Sequence, residues 1–327
     1  MIFQFTASPQ FDFITQFAEE INVPVRDHVL EIPKKMGKGY VRRVKFDEDF
    51  RLLIHHYTLK EELVIKRNPA VKKNDLRSIF FYSNEQAIDL TYNDDSSVPF
   101  SRDSDSAIQV TTNDLSSVIR FPANTNIQYM VVGITASKIR SLLSVDKPNT
   151  AIKTITNEDA SFLFFESMNA ETRLLLKNIA YTDMNDALNH FYLRIKVQEL
   201  LFLLFSRLSA RGNSKYRHIN NADAERLMMI RNEILNDLSS PPELGELAQK
   251  SGMSETKLKQ LFKQTFGDTL YNYFQKARME EAAFLLRQAK LSVSETGYEL
   301  GFSNLSHFSR LFQRHYGITP KKYASAG

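Results

Sequence analysis

Through residues 1–135, short runs rich in β-branched and aromatic residues alternate with polar turns. Six runs read as strands: 41–46, 50–57, 62–66, 78–82, 117–121 and 127–133. Their spacing of roughly ten residues suggests a sandwich or a barrel. The stretches 93–97 and 101–106 are polar and read as loops. After Thr135 the apolar period becomes helical. Segment 135–143 opens on Thr135 as a cap candidate, and helices over 169–180 and 183–209 follow. The last carries Leu188, Phe191, Tyr192, Ile195, Leu200, Leu203 and Leu204, a stripe wider than one small neighbour covers. Two destinations stay open for that stripe: burial against the β-rich part, or a helix pair with a second copy of the chain.

Residues 210–221 are polar, contain Gly and Ser, and read as a linker. Beyond it the spacing predicts helices over 222–238, 244–250, 255–266, 270–288, 292–300 and 303–316. Two stretches of this region repeat one another. With one residue inserted in the second copy, Gly252 aligns with Gly301, Ser254 with Ser303 and Leu258 with Phe308. Leu261-Phe262 then aligns with Leu311-Phe312, and Gly267 with Gly317. A glycine turn followed by a short amphipathic helix, twice in one chain, reads as two helix-turn-helix units.

A step of about 100° per residue assigns faces to these helices. In 255–266, Leu258, Leu261, Phe262, Thr265 and Phe266 form the core arc. Thr256, Gln260 and Lys263 lie opposite, flanked by Lys257 and Lys259, with Glu255 at the N-terminal end. In 303–316, Phe308, Leu311, Phe312 and Tyr316 form the core arc, while Ser303, Ser306, Arg310 and Gln313 point away, flanked by His307 and Arg314. Outward faces holding amides, hydroxyls and cations suit a major groove, where base edges are read and phosphates must not be repelled. Leu305 lies near the core arc; it either packs there or touches a thymine methyl. The intervening helix is on the order of 30 Å long, close to the roughly 34 Å of one DNA turn.

Charge agrees, mildly. The net charge is +4; residues after Tyr216 hold 15 Lys+Arg against 12 Asp+Glu, and the rest hold 27 against 26. Cysteine is absent, which excludes disulfides, thiol nucleophiles and Cys-type zinc fingers. The start lacks a signal-peptide pattern and the apolar run 200–205 is far shorter than the ~20 residues of a membrane span, so the expectation is a cytoplasmic chain with no membrane association. His55 and His56 fall on opposite faces of one strand and cannot ligate one metal together. No cofactor or metal site is expected, and no arrangement of catalytic residues stands out, so an enzyme is not expected. Arg42-Arg43, Lys34-Lys35 and Lys72-Lys73 read as solvated surface.

The stretches 277–286, 294–303 and 308–323 carry a more specific signal. Gly301-Phe302, Phe308, Phe312, Gly317 and Thr319-Pro320 stand where the signature of the AraC/XylS family of bacterial transcription regulators has them, and residues 222–325 resemble that family. The resemblance implies binding of double-stranded promoter DNA through two recognition helices, and action as an activator together with RNA polymerase. Carried over by position, it implies base contacts from Thr256, Lys259 and Gln260 in the first helix, and from Asn304, Ser306, His307 and Arg310 in the second. Many relatives carry a β-rich, cupin-like sensor before this unit, so the expected fold is α+β. A β-rich N-terminal domain with a helical dimerisation segment (1–209) precedes the linker (210–221) and an all-α domain of two helix-turn-helix units joined by a linker helix (222–327). The N-terminal domain would sense a small-molecule effector, form a homodimer, or both; alternatively it is a protein-interaction module controlled by a partner protein.

Overall fold

The computed structural model describes residues 1–6, 11–70, 75–91, 97–101, 107–182, 188–212, 215–288 and 291–325. The chain divides into two units, Met1–Met228 with Gln264–Gly267, and Met229–Lys263 with Asp268–Gly327. In the first unit, β1 (Ile2–Thr6) and α1 (Phe13–Glu20) lead into β2 (Val29–Glu31), β3 (Gly37–Asp47), β4 (Phe50–Leu59) and β5 (Leu63–Asn68). Then come β6 (Leu76–Tyr82), β7 (Ile88–Thr91), β8 (Ser97–Phe100), β9 (Ile108–Thr112), β10 (Ser117–Phe121) and β11 (Ile127–Thr135). Helices α2 (Ala136–Leu143) and α3 (Thr150–Thr156) precede β12 (Leu163–Glu166), α4 (Ala170–Ala180) and α5 (Asn189–Ala210). The α+β class expected from the sequence holds: β-rich first, helical after. No helix among the described residues is long and apolar enough to cross a membrane.

Two sheets face each other. One has the order β1-β5-β10-β7-β8, the other β12-β9-β6-β11-β4-β3-β2. Pairing is antiparallel throughout except for β1 on β5. The larger sheet is covered on both faces, and strand parity decides which side chain goes where. Leu52 and Ile54 of β4, Ile79 and Phe81 of β6, and Met130, Val132 and Ile134 of β11 join one core with Leu193, Val197, Leu200 and Leu204 of α5. The residues between them, Leu53 and His55, Ser78 and Phe80, Tyr129 and Val131, line the space between the sheets.

The helix starts follow cap chemistry. Thr135 caps α2 by accepting from the Lys138 amide, and Asn169 caps α4 by accepting from that of Thr172. Arg77, fully buried, donates to the carbonyls of Ile155 at 3.0 Å and Asn157 at 2.8 Å, satisfying the end of α3.

All six expected strands form. Helix α1 does not follow the expectation of strands and turns alone before Thr135: Phe13, Ile14, Phe17 and Ala18 are buried at helical spacing. Helix α3 and the short strands β1, β2, β7, β8, β9 and β12 are also additional. The expected loops fall largely outside the described residues, as do Lys72-Lys73 and positions 183–187 of the long helix; Ser97 begins β8. The stripe on α5 splits in two. Leu200 and Leu204 enter the core, whereas Leu188, Phe191 and Ile195 are exposed, Leu188 by 71%; Phe202, outside the expected stripe, is exposed by 67%.

Candidate nucleic-acid interface

The second unit is helical. Helix α6 (Asn221–Asn236) carries the boundary between the units and is followed by α7 (Leu244–Ser251), α8 (Glu255–Phe266), α9 (Leu270–Arg287), α10 (Val293–Glu299), α11 (Leu305–Tyr316) and α12 (Pro320–Ser325). Helix α8 coincides with the expected span; α11 begins two residues later than expected, and α12 is additional.

Two cores form on α9. In the first, the Phe262 ring of α8 meets Tyr273 edge-on at 5.3 Å, and the Tyr273 hydroxyl accepts from Arg231 Nε at 2.6 Å. In the second, Met279, Ala282, Ala283 and Leu286 of α9 pack with Leu300, Phe302, Phe308 and Phe312. Arg278 places its guanidinium 3.8 Å from the Phe302 ring centre and 4.9 Å from that of Phe274, and donates to the Leu300 carbonyl. That bond satisfies a carbonyl at the end of α10 and ties the second turn to the middle of α9.

The two turns depend on left-handed backbone. Gly252 has φ +61° and Gly301 φ +73°. Their surroundings differ. A Cβ on Gly252 would meet nothing within 4 Å, whereas one on Gly301 would lie 1.7 Å from the Ser239 carbonyl oxygen. Gly297 of α10 lets α11 approach: a Cβ there would lie 2.6 Å from Leu305 Cδ2. Leu305 therefore packs toward α10, the first of its two expected roles.

The outward faces lie where the helical period puts them. On α8, Thr256, Lys259 and Lys263 are exposed, Lys257 and Gln260 half-buried. Lys259 Nζ lies 3.6 Å from Glu255, one turn earlier, so part of its charge is answered within the helix. Opposite, Leu258, Leu261, Phe262 and Thr265 are fully buried. On α11, Ser306, His307, Arg310 and Arg314 are exposed, as are Ser303 and Asn304 just before it. Asn304 is the N-cap: its side-chain oxygen accepts from the amides of Ser306 and His307 at 2.9 and 3.1 Å. Sequence reasoning saw its polarity and missed this structural role, which a helix start at 305 would have signalled. Arg310 Nε donates to the Ser306 carbonyl at 3.3 Å. Burial and nearby Lys276 hold the His315 imidazole below its usual range. Ser292 and Glu295 close a capping box on α10, which lowers the Glu295 carboxyl.

Residues 247–326 match a family model described as a helix-turn-helix domain. Over 130 residues the chain is 33% identical to the virulence regulon transcriptional activator VirF of Yersinia enterocolitica, covering 39% of this chain and 47% of that protein. Over 81 residues it is 37% identical to the probable transcription factor PqrA of Proteus vulgaris, covering 25% of this chain and 66% of that protein. The chain thus spans about half the length of VirF. Among solved structures, ToxT of Vibrio cholerae O395 overlaps 85% of this chain and 98% of its own at 16% identity, with a TM-score of 0.32.

The turn geometry predicts unequal glycine substitutions. Gly252→Ala should cost about 1–2 kcal/mol, the strain of left-handed backbone alone. Gly301→Ala should cost clearly more, because backbone must move; equal shifts in urea midpoint would contradict the difference in packing. Two surface substitutions separate reading from anchoring. Arg310→Ala should weaken duplex binding by about 1–3 kcal/mol and relax preference at one base pair. Lys263→Ala should lower the salt slope by about one with base preference unchanged. Quantitative footprinting across a salt series checks both.

Proposed function

We propose, from a C-terminal helix-turn-helix domain of the AraC/XylS type over residues 247–326, that this chain is a sequence-specific transcription regulator, acting as an activator at promoters. The observation that carries the reading is the pair of exposed, cation-bearing helices α8 and α11 built on the single helix α9. Thr256, Lys257, Lys259, Gln260 and Lys263 form one contact surface with double-stranded DNA; Ser303, Asn304, Ser306, His307, Arg310 and Arg314 form the other. Residues 222–327 bind DNA and engage RNA polymerase, residues 210–221 link, and residues 1–209 sense a small effector or dimerise. Because α9 sets the two surfaces apart, the preferred site has two blocks about 10 base pairs apart, centre to centre. Selection of bound duplexes from a random library with the full chain tests this. A bipartite motif is expected, and a recovered pool no different from the input would sink the reading.

The exposed side of α5 supports dimerisation within the N-terminal part. Leu188, Ile195 and Phe202 recur at a seven-residue interval on one stripe, with Phe191 beside them. An antiparallel pairing centred on Ile195 would set Leu188 of each chain against Phe202 of the other, satisfying the twofold rule. The partner is therefore a second copy. Sedimentation of the full chain should give a dimer that Phe202→Glu dissociates; a wild-type monomer contradicts the assignment.

A further inference from the structure

Helices α8 and α11 begin differently. Before α8, the Ser254 hydroxyl accepts from the Lys257 amide at 3.3 Å. Before α11, the Asn304 side-chain oxygen accepts from the amides of Ser306 at 2.9 Å and His307 at 3.1 Å. Each of these residues stands four positions before the first buried residue of its helix, Leu258 or Phe308. The residue inserted in the second copy therefore lies in the turn, between Gly301 and Asn304, and Asn304 is the structural counterpart of Ser254.

A cap needs only an acceptor. Serine, threonine and aspartate supply one as asparagine does, and aspartate adds a charge that the helix dipole favours. Asparagine alone among them brings a second group, the Nδ2 amide, which capping does not use. The two backbone amides fix the orientation of the carboxamide: donors face its oxygen, so the nitrogen is the end turned away from them. Asn304 is exposed, and among the described residues nothing accepts from its Nδ2. The first turn of α11 carries no acid that would repel the phosphates flanking a groove.

Capping restricts what this side chain can read. A carbonyl oxygen has two lone pairs, and here the Ser306 and His307 amides engage both. An asparagine selects adenine by donating to N7 while accepting from N6. Asn304 has no acceptor left for N6 while it holds the start of α11; it can only donate. In the major groove, guanine alone presents two acceptors, N7 and O6, and no donor. Adenine presents one of each, cytosine a donor, and thymine one acceptor beside a methyl.

We propose that Asn304 is a specificity-determining residue: its oxygen caps α11 while its Nδ2 amide donates to N7 or O6 of a guanine, so α11 selects guanine where an asparagine ordinarily selects adenine. This rests on the reading of α11 as a DNA-contacting helix and names the base at one position of its site.

The test is duplex selection from a random library by the full chain, repeated with Asn304→Asp and Asn304→Ser. Both variants keep a capping oxygen and lack the amide donor, so melting temperatures close to that of the wild type are expected. The wild-type motif should hold a guanine within the block that Arg310 reads. A preference for it of roughly 5- to 150-fold should be lost in both variants. Asn304→Asp should turn the preference to cytosine, whose N4 donates to the second carboxylate oxygen; Asn304→Ser, too short to reach past the cap, should leave none. Should Asn304→Asp fail to fold, Asn304→Ser decides alone. An adenine at the position that the variants lose would overturn the proposal. So would an equal loss of affinity for all duplexes with the preference intact, which would send the amide to a phosphate. A sharp wild-type motif unchanged in both variants sinks the guanine assignment alone, whereas a wild-type pool no different from the input sinks the reading of α11 and this assignment with it.

Discussion

The pair of helix-turn-helix units depends on one helix serving two cores. The N-terminal half of α9 gives Tyr273 to the core beneath α8, and its C-terminal half gives Met279, Ala282, Ala283 and Leu286 to the core beneath α11. At 1.5 Å per residue its 18 residues span about 27 Å, short of the roughly 34 Å of a DNA turn. Because the spacer is a packed helix, the distance between α8 and α11 is fixed by the fold, and in the proposed DNA complex less ordering entropy would be lost on binding than with a flexible linker.

Arg278 shows how that rigidity is built. A guanidinium between two aromatic rings keeps its charge while its planar faces pack as if apolar. Burial lowers its pKa, yet an arginine stays charged at any physiological pH. A lysine could donate to the Leu300 carbonyl but could not lie flat against Phe302, so this position needs more than positive charge.

The C-terminal unit was legible in the sequence because its signals are local. Gly252, Gly267, Gly301 and Gly317 all adopt the positive φ that their place after an apolar-periodic run predicts. Helix α8, bounded by Ser254 and Gly267, was placed to the residue; α11 was started early because Ser303 and Asn304 both look like caps, and the hydrogen bonds choose Asn304. The N-terminal unit was legible only in its strongest strands. Helix α1 has no side-chain cap, and its aromatic residues are as common in strands, so tertiary burial of Phe13 and Phe17 decides what propensity leaves open.

Arg42 and Arg43 are the instructive failure. As a dipeptide they look like solvated surface, and the β3 pleat gives them different fates. Arg42 turns to the helical side and donates to the Thr182 carbonyl at 3.2 Å; Arg43 turns to Asp12 and the space between the sheets. His55 and His56 separate likewise, one stacked on Tyr129, the other beside Tyr40 and Tyr181. Both faces of this sheet are buried, so an alternating polar pattern cannot announce which parity faces inward. Register alone decides it, and a slip of one residue would exchange Arg43 for Arg42 in the wall of that space. The charge of the space between the sheets is therefore a property of strand pairing, set by partners distant in sequence, and composition could not reveal it.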